Sequence, residues 1–112
     1  MKKKYYVYIL TNYTKSVLYT GVTNNLEQRI LEHYNDRGNP KSFTGRYNAF
    51  YLLFYESSDY INNSIVREKE IKGWRRNKKE ELIKAFNPKE KFLNEELFGK
   101  WPPDKQMPTS TA

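Results

Sequence analysis

The apolar pattern begins with Tyr5-Tyr6-Val7-Tyr8-Ile9-Leu10, an aromatic and β-branched run closed by Thr11-Asn12, which predicts a strand. A polar turn from Asn12 to Ser16 leads into Val17-Leu18-Tyr19-Thr20, a second strand expected to end at Gly21 and to pair with the first as an antiparallel hairpin. Thr23-Asn24-Asn25 then offers capping oxygens, with Glu27 or Gln28 placed to complete a capping box. Leu26, Ile30 and Tyr34 form one apolar row, so the spacing predicts a helix from Leu26 to about Tyr34. Asn35 to Asn48 reads as a loop rich in Gly, Pro and basic groups. Ala49 to Tyr55 is the most apolar run and predicts a buried central strand. Ser57-Ser58-Asp59 is expected to cap a helix running from Tyr60 to Trp74 or Arg76. A further helix from Lys78 to Phe86 stops at Asn87-Pro88. This order predicts an α+β domain, a three-stranded antiparallel sheet flanked by helices. Residues 1–98 are assigned to that single domain, and the proline-punctuated segment 99–112 is expected to be disordered.

Composition narrows what such a domain can do. Its 112 residues carry 20 Lys and Arg against 13 Asp and Glu, a formal charge of +7. On one small domain that excess points to a polyanionic partner, phosphate backbones first, with a merely solvated basic surface as the alternative. The absence of cysteine excludes disulfides, thiol catalysis and cysteine-type zinc sites, and the single histidine excludes a His-rich zinc site. The start, MKKKYYVYILTN, is basic and then apolar like a signal peptide, but the apolar run ends at Leu10 and no small-residue cleavage site follows. No stretch approaches the roughly 18 apolar residues of a membrane span. The expected address is the cytoplasm, with no membrane partner.

Two places carry polar groups beside apolar helix faces. On the helix from Tyr60, Ile61, Ile65 and Ile71 define the face expected to meet the sheet, and Glu68 falls inside that arc while Glu70 projects away. A buried carboxylate must be paired, hydrogen-bonded or bound to metal. Two readings therefore stand open: an i,i+4 ion pair with Lys72, or a functional group. Arg29 and His33 likewise share one helix face beside the Leu26, Ile30, Tyr34 row, and Tyr8 and Tyr19 sit on the two hairpin strands.

Together these residues resemble the GIY-YIG nuclease domain, in particular the small single-domain bacterial members related to the N-terminal nuclease domain of the excision-repair endonuclease. The first signature stands as Tyr6-Val7-Tyr8, with tyrosine in place of the opening glycine, and the second as Tyr19-Thr20-Gly21. Arg29 follows Gly21 at the family's spacing, His33 lies one turn later, and the family's glutamate falls on Glu68. The resemblance spans Lys4 to Phe86. It departs again where many members carry an asparagine after the glutamate: that position is Glu80, flanked by Asn77 and Asn87.

The resemblance implies the three-stranded fold and a divalent-metal-dependent endonuclease that hydrolyses phosphodiester bonds. DNA is expected ahead of RNA, with structure or damage directing the cut in repair, recombination or processing. The implied oligomeric state is monomer or weak homodimer. Glu68 would hold one Mg²⁺ or Mn²⁺, whose other positions would be filled by water and phosphate oxygen. Arg29 would grip the scissile phosphate. Tyr8 would be the general base, with Tyr19 and His33 orienting the water or relaying its proton, because a free phenol is scarcely ionised at neutral pH. Arg37, Lys41, Arg46, Lys72, Arg75 and Arg76 are the candidate backbone contacts. The alternative on the same scaffold is a nucleic-acid-binding module that is non-catalytic or dependent on a partner.

Overall fold

A computed structural model of the chain describes residues 3–103. Strands β1 (Tyr5–Thr11) and β2 (Leu18–Thr23) form the expected antiparallel hairpin, and β1 pairs antiparallel on its other side with β3 (Tyr51–Ser58), giving the order β2-β1-β3. The helices are α1 (Leu26–Asn35), α2 (Phe43–Tyr47), α3 (Ile61–Lys72), α4 (Arg76–Phe86) and α5 (Asn94–Phe98). The domain is thus α+β, a three-stranded antiparallel sheet flanked by helices. Val7 and Ile9 on one sheet face pack with Leu53, Phe54, Ile71 and Ile83, the layer beneath α3 and α4. Tyr8 and Leu10 on the other pack with Leu26, Ile30, Leu52 and Leu93, beneath α1 and α5.

The central strand is β1, not the Ala49–Tyr55 run. β1 is covered on both faces and so reads as a nearly unbroken apolar segment. β3 is an edge whose free side is covered by the chain from Asn87 to Asn94. Leu93 N–H donates to the Leu52 carbonyl, and Asn94 accepts from Leu52 N–H and donates to the Phe50 carbonyl. Asn87 Nδ2 donates to the Leu53 carbonyl. That cover satisfies the exposed edge and lets it be as apolar as an inner strand. A register shift between Ile9 and Leu10 also places Leu53 and Phe54 in the same core layer.

Five local expectations give way to the structure. β2 continues through Gly21 to Thr23, because Tyr8 sits opposite Gly21 and Tyr6 opposite Thr23 in the ladder. The Asn35–Asn48 loop contains α2, capped by Ser42, whose hydroxyl accepts from Gly45 N–H. α3 has no side-chain cap: the strand runs on through Ser58, whose hydroxyl accepts from Tyr60 N–H ahead of the helix. Ile61 is exposed, so the buried face of α3 is Ser64, Glu68 and Ile71. Gly73 to Arg75 separates α3 from α4, and α4 starts at Arg76. Within the segment expected to be disordered, Trp101 packs against Tyr34, Phe50 and Phe98; residues 104–112 lie outside the described residues.

Candidate active site

The site grows from the ladder between β1 and β2. Tyr8 faces Gly21 across the strands, and a Cβ on Gly21 would lie 2.5 Å from the Tyr8 hydroxyl and ring carbon Cζ. The missing side chain lets the phenol lie flat over β2 and reach α1. There its hydroxyl meets His33 Nε2 at 2.9 Å, and His33 Nδ1 meets Thr44 Oγ1 of α2 at 3.0 Å. Tyr8 can donate to Nε2 only when Nδ1 carries the ring proton and gives it to Thr44. All three side chains are buried, Tyr8 at 1% exposure. Burial pushes the His33 pKa down to about 4, helped by the Arg29 charge, so the imidazole is neutral at pH 7. Burial likewise pushes the Tyr8 phenol well above its ordinary range, with Tyr19 adding to the rise and Arg29 opposing it.

An open cleft of about 360 Å³ lies beside this chain of bonds, lined by Tyr19, Arg29, His33, Asp36, Phe43 and Thr44 among others. Tyr19 sits 5.4 Å from the His33 ring and stacks on Phe43 at 6.2 Å. Arg29, half-buried on α1, donates to Glu32 at 2.7 Å. That exposed pair holds the guanidinium at the cleft mouth but is weak enough for a phosphate to replace it. The far wall depends on a tight fold of the 36–48 segment: a Cβ on Gly45 would lie 2.5 Å from the Asp36 carbonyl and 2.6 Å from Ser42 Oγ.

Glu68 occupies the buried face of α3, 9% exposed, and its carboxylate takes a 2.9 Å bond from Lys72 Nζ. Lys72 in turn lies 5.8 Å from the centre of the Tyr19 ring, so Glu68 is tied to the cleft through Lys72 and Tyr19 and is not itself part of its lining. Among the described residues no three His, Cys, Asp or Glu side chains gather as a metal cage. One carboxylate completed by water and phosphate oxygens is nevertheless a donor set that a hard divalent cation accepts. Glu68 supplies one such carboxylate donor, which in the structure is paired with Lys72.

The structure therefore gathers Tyr8, Tyr19, Arg29 and His33 and keeps Glu68 one side chain away. Of the basic candidates, Lys41, Arg46 and Arg75 are exposed, and Arg46 lies over the Tyr47 ring at 5.9 Å. Arg37 stacks over Tyr34 at 3.9 Å, and Lys72 is held by Glu68. Arg76 spends its donors on Glu80 and the carbonyls of Lys15 and Ser16, clasping the hairpin turn to α4. Asn87 is buried and consumed by the Leu53 and Lys91 backbones, whereas Asn77 is exposed at the start of α4. Sequence reasoning missed Thr44 as the partner of His33. The signal was Ser42 three residues before Gly45, a helix cap inside what read as a loop.

The model of the GIY-YIG catalytic domain matches residues 4–81. A UPF0213 protein of Clostridium perfringens is 38% identical over 92 residues, 82% of this chain and 96% of the relative. One from Natronomonas pharaonis is 37% identical over 83 residues, covering 74% and 94%. The solution NMR structure of the Bacillus halodurans UPF0213 protein is 28% identical, with a TM-score of 0.45 over 97% of this chain and 99% of that one.

Proposed function

The chain belongs to the GIY-YIG catalytic-domain family, a nuclease-type family, and on that footing we propose that it is a divalent-metal-dependent endonuclease hydrolysing phosphodiester bonds. DNA is its first substrate, cut at structural or damaged sites in repair, recombination or processing. The enzyme acts in the cytoplasm as a monomer or weak homodimer. The observation that carries this reading is the neutral His33, bonded to Tyr8 and placed beside a cleft that Arg29 guards.

The chemistry follows from those groups. Arg29 exchanges Glu32 for the scissile phosphate and holds it by charge-assisted hydrogen bonds. A phosphodiester anion there also cancels the push that Arg29 exerts on His33, making the imidazole a better proton acceptor when substrate is bound. Tyr8 gives its proton to His33 Nε2 as it takes one from the attacking water, so the buried phenol never has to exist as free phenolate. Tyr19, stacked on Phe43, fixes the lip of the cleft and orients the water. Mg²⁺ or Mn²⁺ bound at Glu68 would supply Lewis-acid stabilisation of the phosphate and the leaving oxygen. With Glu68 so engaged, Lys72 would keep its place 5.8 Å from the Tyr19 ring as a further positive charge.

The second reading, a binding module that does not cut alone, is favoured by one observation: Asn87 is spent on backbone bonds and takes no part in the cleft. A cleavage panel decides between them, using single-stranded, duplex, forked and flapped DNA and matching RNA with Mg²⁺, Mn²⁺ or chelator. Metal-dependent cutting that Arg29→Ala removes is expected. Salt-sensitive binding with no turnover in either metal would transfer the assignment to the binding module.

A further inference from the structure

The hairpin and the 36–48 segment wall a second cleft, of about 420 Å³, lined by Tyr13, Arg37, Gly38, Asn48, Phe50 and Tyr51. Its chemistry differs from that of the Arg29 cleft, whose lining includes Glu32 and Asp36: no carboxylate lines this one. Tyr13 stands at the hairpin turn with 75% of its surface exposed. It is nonetheless braced, 6.1 Å from both the Tyr51 and Phe92 rings, while Tyr51 and Phe92 stack at 4.3 Å. Arg37 is set in advance, its guanidinium 3.9 Å over the Tyr34 ring and Nη1 donating to the Tyr34 carbonyl. Among the described residues it has no carboxylate partner, and its remaining N–H groups are open to solvent. Lys15, 5.3 Å from the Phe92 ring centre, adds a second positive charge beside the aromatic wall.

Rigid ring faces with cations beside them and no competing carboxylate match an unpaired nucleobase and its phosphate. A base inside a duplex has both faces covered and offers nothing to stack on. We infer that this cleft is a stacking subsite for an unpaired nucleotide adjoining the phosphate held at Arg29. Tyr13 offers the ring face, braced by Tyr51, which is itself packed against Phe92 at 4.3 Å and Phe50 at 4.6 Å, and Arg37 binds the nucleotide's phosphate. No residue lines both clefts, but Asp36 of the first and Arg37 of the second are consecutive, and each cleft takes one tyrosine from the hairpin, Tyr19 or Tyr13, so the two are neighbours. The inference rests on the nuclease reading and narrows its substrate class to nucleic acid with single-stranded character at the cut.

Binding measured in chelator, where no cutting occurs, tests the subsite. Wild type, Tyr13→Ala and Tyr13→Phe are compared on single-stranded DNA, single-stranded RNA and duplex, with 2-aminopurine reporting stacking in the single strands. Tyr13 is exposed, so its replacement leaves the core intact. Expected are about tenfold weaker single-strand binding and lost quenching for Tyr13→Ala, retention in Tyr13→Phe, and a duplex affinity within about twofold of wild type. The single strand that loses more affinity, DNA or RNA, identifies the sugar the subsite takes. Unchanged single-strand affinity on both, or an equal fall on single strand and duplex, would overturn the subsite. A wild type that binds through Tyr13 but never cuts loses the nuclease reading and keeps the subsite; cutting with Tyr13-independent binding does the reverse.

Discussion

Acid should weaken this protein through His33 well before its carboxylates are all protonated. In the unfolded chain the imidazole takes a proton near pH 6.5. In the folded protein, burial between Tyr8 and Thr44 and the charge on Arg29 hold its pKa down to about 4, against smaller opposing effects from Glu32 and Asp36. Between those values the unfolded state binds more protons, so stability is full above about pH 6.5 and falls as the pH drops toward 4. The difference of about 2.5 units corresponds to a loss of roughly 2 kcal/mol at pH 5 and roughly 3 kcal/mol at pH 4. His33 is the chain's only histidine, so its ring signals in an NMR titration are unambiguous. Urea unfolding of wild type and His33→Gln across the same pH range isolates the contribution, because the carboxylates are common to both. The wild type should lose the extra 2–3 kcal/mol and the variant should not. A His33 titrating near 6.5, or parallel stability curves for the two proteins, would refute the reasoning.

Other outcomes follow from the same geometry. Gly21→Ala forces a methyl group into the Tyr8 ring and should cost about 1–3 kcal/mol in urea unfolding. It should also shift the His33 ring resonances. Arg29→Ala should lower cleavage by about 10²–10³-fold and reduce the salt slope of DNA binding by about one. Asn87→Ala should destabilise by about 1–3 kcal/mol, since it strands the Leu53 and Lys91 backbone groups, yet leave the cleavage rate of the folded protein unchanged. A collapse in turnover at unchanged stability would make Asn87 catalytic.

Much of this architecture was legible because local chemistry and fold agree. The hairpin is set by the Tyr5–Leu10 run and by Asn12, whose side chain accepts from Ser16 and Val17 N–H in the turn. α1 starts where Asn25 caps it with Gln28, as the sequence pattern required. The position of Glu68 on a buried face followed from helical period alone, although the face is completed by Ser64 and Ile71 and not by Ile61. The central-strand assignment failed for a tertiary reason: the Asn87–Asn94 segment covers the β3 edge, and nothing local to Ala49–Tyr55 announces that. α2 was hidden by its short length and by the glycine at 45, which composition reads as loop and packing requires for close approach to Asp36. Hence Tyr8 and His33 were drawn into one site only by the resemblance to the GIY-YIG domain, and the anchor at Thr44 was not anticipated at all. Of the two readings of Glu68, the structure shows the ion pair with Lys72; the metal-binding role belongs to the proposed function.

The proposed chemistry stands or falls most directly on cleavage of one labelled forked DNA in Mn²⁺ by wild type and Glu68→Gln, side by side, with folding of both confirmed. Turnover by the wild type and a fall of about a thousandfold or more in the variant are expected, the scale of a lost metal-ion contribution. A variant that cuts at the wild-type rate would contradict the placement of the metal at Glu68 and the mechanism built on it.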